Sequence, residues 1–404
     1  MARILLAWEL GTNLGHLAPM RALAKAFRAN GHRCMFAVRE LEAAEECLEP
    51  ELGAIVQAPL RINAIQNPLR VQVSYASLLH NTGFDDVMSL TGRLRAWREI
   101  LQKYSCELLV TDHAPTAIAA AFSLGLPALQ TGNGFTVPPL TRPFPVFHPR
   151  FPVSEEILLH NESKVLAALG AAFDRLGVTA PVSLQQVLGH AQPALLTYPE
   201  LDHYEAKRSE PYLGLPDMNL GTDPQWPAGD GAKIFAYLRP SKHFQALLAA
   251  LRQLPARVLI RVGGIAPGKL REYERPGLQI TGQPINFRLA AQSCDAFINY
   301  AAHGTSAEML LAGKPGLLLP DNVERDLMAR RVQQLGAGLV PPAGAEFNLS
   351  AALRQIIDDP SLRKAAEFFA QRHAAQNRHD IMQTLAARTL AALKNPQPGA
   401  PADS

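Results

Sequence analysis

The chain has 404 residues, enough for two or three domains, and its 48% hydrophobic and 19% charged residues are typical of a globular protein with a large core. A net charge of +3 without a long Lys/Arg block gives no indication of nucleic-acid binding. The four cysteines are scattered without a CxxC pair, and no apolar run reaches the ~18 residues of a membrane span. Composition therefore predicts neither a cysteine-based metal site, nor a disulfide framework, nor a transmembrane helix.

The first half alternates strand and helix patterns, which predicts a parallel, doubly wound α/β sheet. Its opening residues, MARILLAWEL, read as a buried strand and are too short for a signal peptide. A Gly-rich turn at 11–19 leads into a helix with Met20, Leu23 and Phe27 on one face. Further strands are predicted at 33–40, 106–112, 126–132 and 193–204, and further helices at 93–105 and 114–125.

The second half repeats this alternation after a segment rich in Pro, Gly and Asp, which we interpret as a linker. Strands are predicted at 233–240, 256–264, 278–284, 295–301 and 316–320, and helices at 243–255, 287–294, from Gly304, at 322–338 and from about 353 to 393. The predicted organisation is an N-terminal domain at 1–212, a linker at 213–230, a C-terminal domain at 231–378, a helix at 379–395 able to pack back on the first domain, and a disordered tail at 396–404.

Two polar residues follow strands of the first predicted sheet. His16 lies in the turn after the first strand, and Asp112 ends the strand at 106–112, at the edge where α/β proteins bind ligands. If these strands are neighbours, Asp112 can hold one ring nitrogen of His16 while the other takes a proton, the arrangement that activates a hydroxyl. The alternatives are that His16 only caps a turn and that Asp112 caps the next helix, and His113 is a weaker candidate for the same role.

A second polar group surrounds the stretch INYAAHGTSAE, at 298–308. The predicted helix start at Gly304, Thr305 and Ser306 offers amides and hydroxyls that suit a phosphate. The polar neighbours at this edge, which suit an anion or sugar hydroxyls, are Glu308, Asp321, Asn322, Glu324, Arg325 and Arg239. A solvated loop explains any one of them, but the group less readily. The chain has no DxD, GxxxxGK[ST], GxSxG or HExxH motif, so a metal is not expected.

These residues resemble the UDP-glycosyltransferase (family 1) enzymes. The stretch GTNLGHLAPMRALAKAFRANGHRCMFAV is similar to their pattern G-x-x-G-H-x-x-P followed by a helix and G-H-x-V-x-F. The stretch FINYAAHGTSAEMLLAGKPGLLLPDNVERDLMARRVQQLGAG is similar to their nucleotide-sugar signature, H-x-G-x-G-T-x-x-E-x-L-x-x-G-x-P-x-L-x-x-P. With the alternation between them, the resemblance covers about residues 1–375.

The resemblance implies a GT-B fold, in which two Rossmann-like domains face each other across a cleft. It implies inverting, metal-independent transfer of a hexose from a UDP or dTDP sugar, a co-substrate and not a cofactor, to a hydroxyl of a small-molecule or lipid acceptor. His16 would be the base and Asp112 its partner. The donor-binding candidates are then Arg239, Pro284, Ile285, Tyr300, His303, Gly304, Thr305, Ser306, Glu308, Asp321, Asn322, Glu324 and Arg325, and the acceptor-binding candidates are Asn13, Tyr75, His80, Asn133 and Phe135.

The signature departs from the family pattern at several positions. Tyr300 stands at the family's phosphate-contacting histidine, and His303 falls at a position that is usually small or aromatic. Arg325 stands where Gln commonly contacts the sugar, whereas Glu324 keeps the acid, and Arg239 follows a strand that often ends in Gly-Ser or Gly-Thr. We expect activity to survive with a changed donor sugar or pose, because a tyrosine still donates to a phosphate oxygen and Arg239 can supply positive charge.

Two other functions stay open. A nucleotide-sugar 2-epimerase of the same fold needs a set of acids and His residues for chemistry at C2, and His16 with a single Asp partner argues against it. A non-catalytic nucleotide-sugar-binding homologue is motivated by Tyr300 and Arg325, and intact His16 and Asp112 argue against it.

The acceptor and the oligomeric state are not readable from the sequence. The Pro-rich segment at 135–152 is too long for a simple connection, and together with 71–86 it is expected to shape the acceptor pocket. A cytoplasmic location is expected, and the mild basicity is compatible with a loose contact to the inner membrane face.

Overall fold

The computed structural model describes residues 1–11, 14–148, 152–205, 208–218, 221–342 and 346–394. The chain divides into two compact units. The first unit consists of Met1–Thr197, Tyr204–Met218 and Arg378–Ser404, and the second unit of Tyr198–His203 and Asn219–Asn377.

The first unit is built on a six-stranded parallel sheet in the order β3-β2-β1-β4-β5-β6. Its strands are β1 (Arg3–Ala7), β2 (Arg33–Val38), β3 (Ile55–Gln57), β4 (Leu108–Asp112), β5 (Ala128–Gly132) and β6 (Ala191–Leu195). Its helices are α1 (Leu14–Ala29), α2 (Leu41–Cys47), α3 (Tyr75–Leu79), α4 (Val87–Lys103), α5 (Pro115–Leu124), α6 (Glu155–Arg175) and α7 (Leu184–Leu188). This order places the topological switch point between β1 and β4, where α/β sheets bind ligands outside the carboxyl ends of the strands.

Local chemistry explains why these segments fold as they do. β4 and β5 are buried along their whole length, as expected of strands covered on both faces. Asp86 caps α4 by accepting from the amide of Ser89, Pro115 opens α5, and Gly125 ends α5 in the left-handed region.

The second unit repeats the topology with the sheet order β12-β11-β10-β7-β8-β9, so its switch point lies between β7 and β10. Its strands are β7 (Lys233–Leu238), β8 (Arg257–Val262), β9 (Leu278–Thr281), β10 (Ala296–Asn299), β11 (Gly316–Leu318) and β12 (Gly338–Leu339). Its helices are α8 (Phe244–Gln253), α9 (Phe287–Ser293), α10 (His303–Leu311), α11 (Val323–Gln334), α12 (Leu349–Asp358) and α13 (Pro360–His373). The last helix, α14 (Ile381–Lys394), is part of the first unit and packs against α1.

The structure differs from the predicted boundaries where extended segments find sheet or helix partners. Part of the predicted linker pairs with β6, since the amide of Leu213 donates to the carbonyl of Leu195. Tyr198–His203, predicted to lie in the first domain, packs in the second unit, where Glu200 forms ion pairs with Arg372 (2.7 Å) and His373 (3.1 Å). None of the helices among the described residues is long and apolar enough to cross a membrane.

Candidate active site

His16 and Asp112 meet at the switch point of the first sheet. β1 pairs in parallel with β4, so the segment after β1 lies beside Asp112, the last residue of β4. The Nδ1 of His16 lies 2.9 Å from Oδ1 of Asp112. A carboxylate acceptor places the ring proton on Nδ1, so Nε2 is the nitrogen that can take a second proton.

His16 is held by a helix and not by the Gly-rich turn predicted at 11–19. α1 already begins at Leu14, which places His16 in its first turn. Pro19, predicted in the first helical turn, lies inside the helix, where it removes one main-chain hydrogen bond without ending α1.

The space around Nε2 of His16 depends on Gly11 and Trp8. Gly11 has φ +87°, and a Cβ at this position would lie 2.3 Å from Nε2 of His16. On another side, the indole of Trp8 stacks on the imidazole with ring centroids 5.2 Å apart, and its N–H donates to the carbonyl of Leu10 (2.7 Å). Glycine and indole together set the position of the ring that Asp112 orients.

His113, the weaker candidate base, lies in a buried group of aromatic rings. It has a φ of +52°, and its ring centroid lies 6.3 Å from that of His16, 6.4 Å from that of Tyr75 and 6.2 Å from that of Phe135. Burial, with a smaller contribution from the charge of His16, lowers the pKa of His113 to about 3. An imidazole with this pKa is a poor base at neutral pH, which favours His16 for the role.

The structure brings some of the acceptor candidates to this group and not others. The phenol of Tyr75 is buried beside His113 with no hydrogen-bond partner among the described residues. Phe135 packs edge-on against the imidazole of His113. Asn133, after β5, accepts the amide of Thr136 (3.1 Å). His80 makes none of these ring contacts in the described part of the chain, and its Nε2 lies 3.1 Å from the carbonyl of Asn67. The remaining candidate, Asn13, lies outside the described residues.

The second unit carries a group of arginines and tyrosines at its own switch point. Tyr300 follows β10 and Arg239 follows β7, the strand paired with it. The guanidinium carbon of Arg325 lies 4.3 Å from the centre of the Tyr300 ring, and that of Arg239 lies 5.7 Å from it. Burial raises the pKa of Tyr300, and neighbouring Tyr237 raises it further, so the phenol keeps its proton and can donate it to an anion.

Tyr237 and Arg261 belong to this group but were missed from the sequence. The ring of Tyr237 lies 5.1 Å from that of Tyr300, and the guanidinium carbon of Arg261 lies 5.6 Å from the ring of Tyr237. Both occupy the fifth of six strand positions, and the parallel register of β7 and β8 sets them opposite each other. The signal available in the sequence was a residue with a polar group one position before the end of each of two apolar strands.

The start of α10 differs in detail from the prediction. The helix begins at His303, one residue before Gly304, and its N-cap residue, Ala302, has no side chain that could cap it. Ser306, predicted to bind the donor, is instead fully buried and bonded to the side-chain amide of Asn299 (3.0 Å). The Ser306 hydroxyl therefore faces the end of β10.

The other residues of the predicted donor site have varied surroundings. His303 is buried with its ring centroid 5.7 Å from that of His203, and burial lowers its pKa to about 4. Asn322 caps α11 by accepting the amide of Arg325 (3.0 Å), and Asp321 forms an ion pair with the Arg325 side chain. Gly304 and Thr305 lie in the first turn of α10, Glu308 is buried further along it, Glu324 lies in the first turn of α11, and Pro284 and Ile285 pair with Thr222 after β9.

No group of three or more His, Cys, Asp or Glu residues that could hold a metal ion occurs within the described ranges.

Comparisons with known proteins show similarity to glycosyltransferase sequences and structures. Residues 280–387 match the family described as the C-terminal domain of erythromycin biosynthesis protein CIII-like proteins. The chain is 25% identical over 188 residues to O-mycaminosyltylonolide 6-deoxyallosyltransferase of Streptomyces fradiae, a match covering 46% of this chain and 39% of the relative's length.

Solved structures extend the likeness over nearly the whole chain. The glycosyltransferase VinC in complex with dTDP superposes with a TM-score of 0.71 at 15% identity, covering 97% of this chain and 99% of that one. The glycosyltransferase SsfS6 of Streptomyces sp. SF2575, complexed with thymidine diphosphate, superposes with a TM-score of 0.62 at 19% identity, covering 96% and 100%.

The chain therefore has the GT-B fold, as the sequence predicted. The predicted resemblance to glycosyltransferases is confirmed, since the sequence relative and these structural neighbours are named as such enzymes.

Proposed function

We propose that this protein is a glycosyltransferase that moves a sugar, with inversion and without a metal, from a nucleoside diphosphate to a hydroxyl of a small-molecule acceptor. The observation that carries the proposal is the 2.9 Å contact between Nδ1 of His16 and Oδ1 of Asp112 at the switch point of the first sheet. The first unit binds the acceptor and the second binds the donor. Lipid acceptors and a cytoplasmic location stay predictions from the sequence.

The reaction needs a proton acceptor and a stabilised leaving group. Nε2 of His16 takes the proton of the acceptor hydroxyl as its oxygen attacks C1 of the sugar, and the bond from C1 to the diphosphate oxygen breaks on the opposite side. Asp112 stabilises the imidazolium that forms. The negative charge passes to the diphosphate, and Arg239, Arg325 and the amides at the start of α10 stabilise it.

The donor is proposed to be a dTDP sugar first and a UDP sugar second. The structures of two neighbours, VinC and SsfS6, contain thymidine diphosphate. This supports testing dTDP sugars before UDP sugars. In this chain, the phenol of Tyr300 and the guanidinium of Arg239 would take over the phosphate contacts of the family's histidine. Under this proposal side chains, and not a metal ion held by acidic residues, neutralise the diphosphate of either nucleotide. Three positively charged side chains surround the two tyrosines and can do so.

The proposal is tested on the full chain in two steps. A thermal-shift screen of dTDP, UDP and GDP identifies the nucleotide, because a ligand that binds the folded state raises its stability. The glucose conjugate of that nucleotide then serves as the donor, and release of the nucleotide is measured with a panel of phenolic and alcoholic acceptors. The proteins compared are the wild type, His16→Ala and the exposed control His160→Ala. We expect His16→Ala to lose transfer and keep nucleotide affinity, whereas turnover at the wild-type rate would remove His16 from the mechanism.

The same assay separates the alternatives. A 2-epimerase would convert the nucleotide-sugar with no acceptor present, which proton NMR of the donor detects. A non-catalytic homologue would bind the nucleotide and release no product with any acceptor, wild type and His16→Ala alike.

A further inference from the structure

A cavity separate from the His16 imidazole opens at the carboxyl ends of β1, β2 and β3. It has a volume of about 240 Å³ and is lined by Glu9, Leu10 and Arg39, the loop at 59–65, and Arg93. Ligand pockets for whole drug-sized molecules measure roughly 300–1,000 Å³. A cavity of this size therefore holds a small acid or one arm of a larger ligand, and not a whole drug-sized molecule.

The charges that line this cavity do not cancel. Arg61 forms an ion pair with Asp85, and buried Arg93 lies in the field of three acids, Glu9, Asp85 and Asp86. Arg39 is the remaining cation, and in the described part of the chain it forms no ion pair. Of the three arginines that line the cavity, Arg39 is therefore the one available to pair with a bound negative charge.

Hydrogen-bond donors are also left over at the same place. Among the described residues, the Arg39 side chain makes one hydrogen bond, from its guanidinium to the carbonyl of Glu9 (3.0 Å), although a guanidinium has five N–H donors. The Nε of Arg93 is buried with no partner among the described residues, while its other nitrogens donate to Thr116 and Gly83. Leaving a buried charged donor unsatisfied is costly, which is typical of a site that awaits an acceptor.

The cavity is joined to the candidate base through two contacts. Leu10 lines the cavity, and its carbonyl accepts the indole N–H of Trp8 (2.7 Å). The same indole stacks on His16. Leu10 and Trp8 thus form a chain of contacts from the cavity lining to the imidazole of His16.

We propose that this cavity binds a carboxylate of the acceptor, with Arg39 as its principal partner. The inference rests on the proposed function and narrows the acceptor to a hydroxylated acid. A carboxylate matches the single charge and the planar geometry of the Arg39 guanidinium, whereas a phosphate brings a charge closer to two. Recognition of the acid end then orients the hydroxyl toward Nε2 of His16.

The test compares hydroxy acids with their methyl esters. Transfer to 4-hydroxybenzoate and 4-hydroxycinnamate, and to the methyl ester of each, is measured for the wild type, Arg39→Gln and Arg95→Gln, an exposed arginine on α4. We expect the wild type and Arg95→Gln to prefer the acids by about 10- to 100-fold in kcat/KM, the range of a charge-assisted hydrogen bond. In Arg39→Gln the ratio of kcat/KM for the acid to kcat/KM for its methyl ester should fall close to one.

A second measurement needs neither donor nor turnover. Benzoate and its neutral counterpart benzamide are titrated against the three proteins by thermal shift. The inference is supported if benzoate but not benzamide stabilises the protein, and if this effect is lost in Arg39→Gln and kept in Arg95→Gln. If this result is obtained but no acceptor is glycosylated, the proposed function fails and the inference stands. Equal transfer to acids and esters, or equal binding of benzoate and benzamide, overturns the inference and leaves the glycosyltransferase proposal intact.

Discussion

Nδ1 of His16 lies 2.9 Å from Oδ1 of Asp112, a contact that joins residues 96 positions apart in the chain. Parallel pairing of β1 and β4 makes the contact possible, because it brings their carboxyl ends to the same edge of the sheet. The two side chains are 15% and 5% exposed, so the interaction is poorly screened by water. A carboxylate in this position fixes the tautomer of the ring and stabilises the imidazolium that forms when Nε2 takes a proton.

Asp112→Asn should reduce kcat by about 10²- to 10⁴-fold and leave nucleotide affinity unchanged. The amide keeps the size of the side chain but loses the charge that stabilises the imidazolium. Initial rates and calorimetric titration with dTDP measure the two quantities. Asp174→Asn, an exposed change on α6, is the matched control. Equal rates for the two variants would show that Asp112 does not assist His16.

Gly11→Ala should abolish sugar transfer because it displaces His16, and not because the protein unfolds. The added Cβ would lie 2.3 Å from Nε2 of His16, so the imidazole must leave its place beside Asp112. Gly31→Ala is the control, because Gly31 also has a positive φ (+78°) but a Cβ there meets nothing within 4 Å. Both variants should lose about 1–2 kcal/mol of stability from the left-handed backbone. If Gly31→Ala loses as much kcat as Gly11→Ala, backbone strain and not the position of His16 is responsible.

The sequence predicted the parts of the fold that depend on local pattern. The buried strands are apolar runs with polar residues at their carboxyl ends, which is why the positions of His16 and Asp112 could be anticipated. α6 was overlooked although Ser154 caps it, a signal that was present in the sequence. β3 has only three residues and could not be recognised by pattern.

The unpredicted features depend on strand register and on the packing of helices against strands. Tyr237 and Arg261 join Tyr300 only because β7 pairs with β8 in one particular register. Ser306 was predicted as a phosphate ligand, but its hydroxyl accepts a hydrogen bond from Asn299, because α10 packs against the end of β10. Contacts between strands and the first residue of a helix lie beyond what periodicity can fix.

Tyr300→Phe should weaken dTDP binding by about 1–3 kcal/mol, the value of a hydrogen bond to a charged acceptor. The substitution keeps the ring against the guanidinium groups of Arg325 and Arg239 and removes only the hydroxyl. Calorimetric titration gives the dissociation constant. Tyr273→Phe, a change in a ring packed against the core of the same unit, should have no effect. Unchanged affinity in Tyr300→Phe would exclude this phenol from the phosphate site.

His113→Asn should flatten the dependence of folding stability on pH. The pKa of His113 is about 3 in the folded protein, and the ordinary value is 6.5. As the pH falls below 6.5 the unfolded chain binds a proton that the folded protein does not, so stability is lost on acidification and is unaffected at higher pH. Between pH 7.5 and 5 this residue contributes a loss of about 2 kcal/mol.

Urea unfolding at pH 7.5 and 5 measures that loss for the wild type, His113→Asn and the exposed control His160→Asn. Asparagine accepts the positive φ of position 113 and does not titrate, so any stability cost of the smaller side chain is the same at both pH values. His160→Asn should keep the wild-type difference between the two pH values, and His113→Asn should reduce it by about 2 kcal/mol. Buried His303, with a folded pKa of about 4, accounts for a similar share that persists in both variants. An undiminished difference in His113→Asn would mean that the imidazole is protonated in the folded state near pH 5, and His113 could then no longer be set apart from His16 as a base.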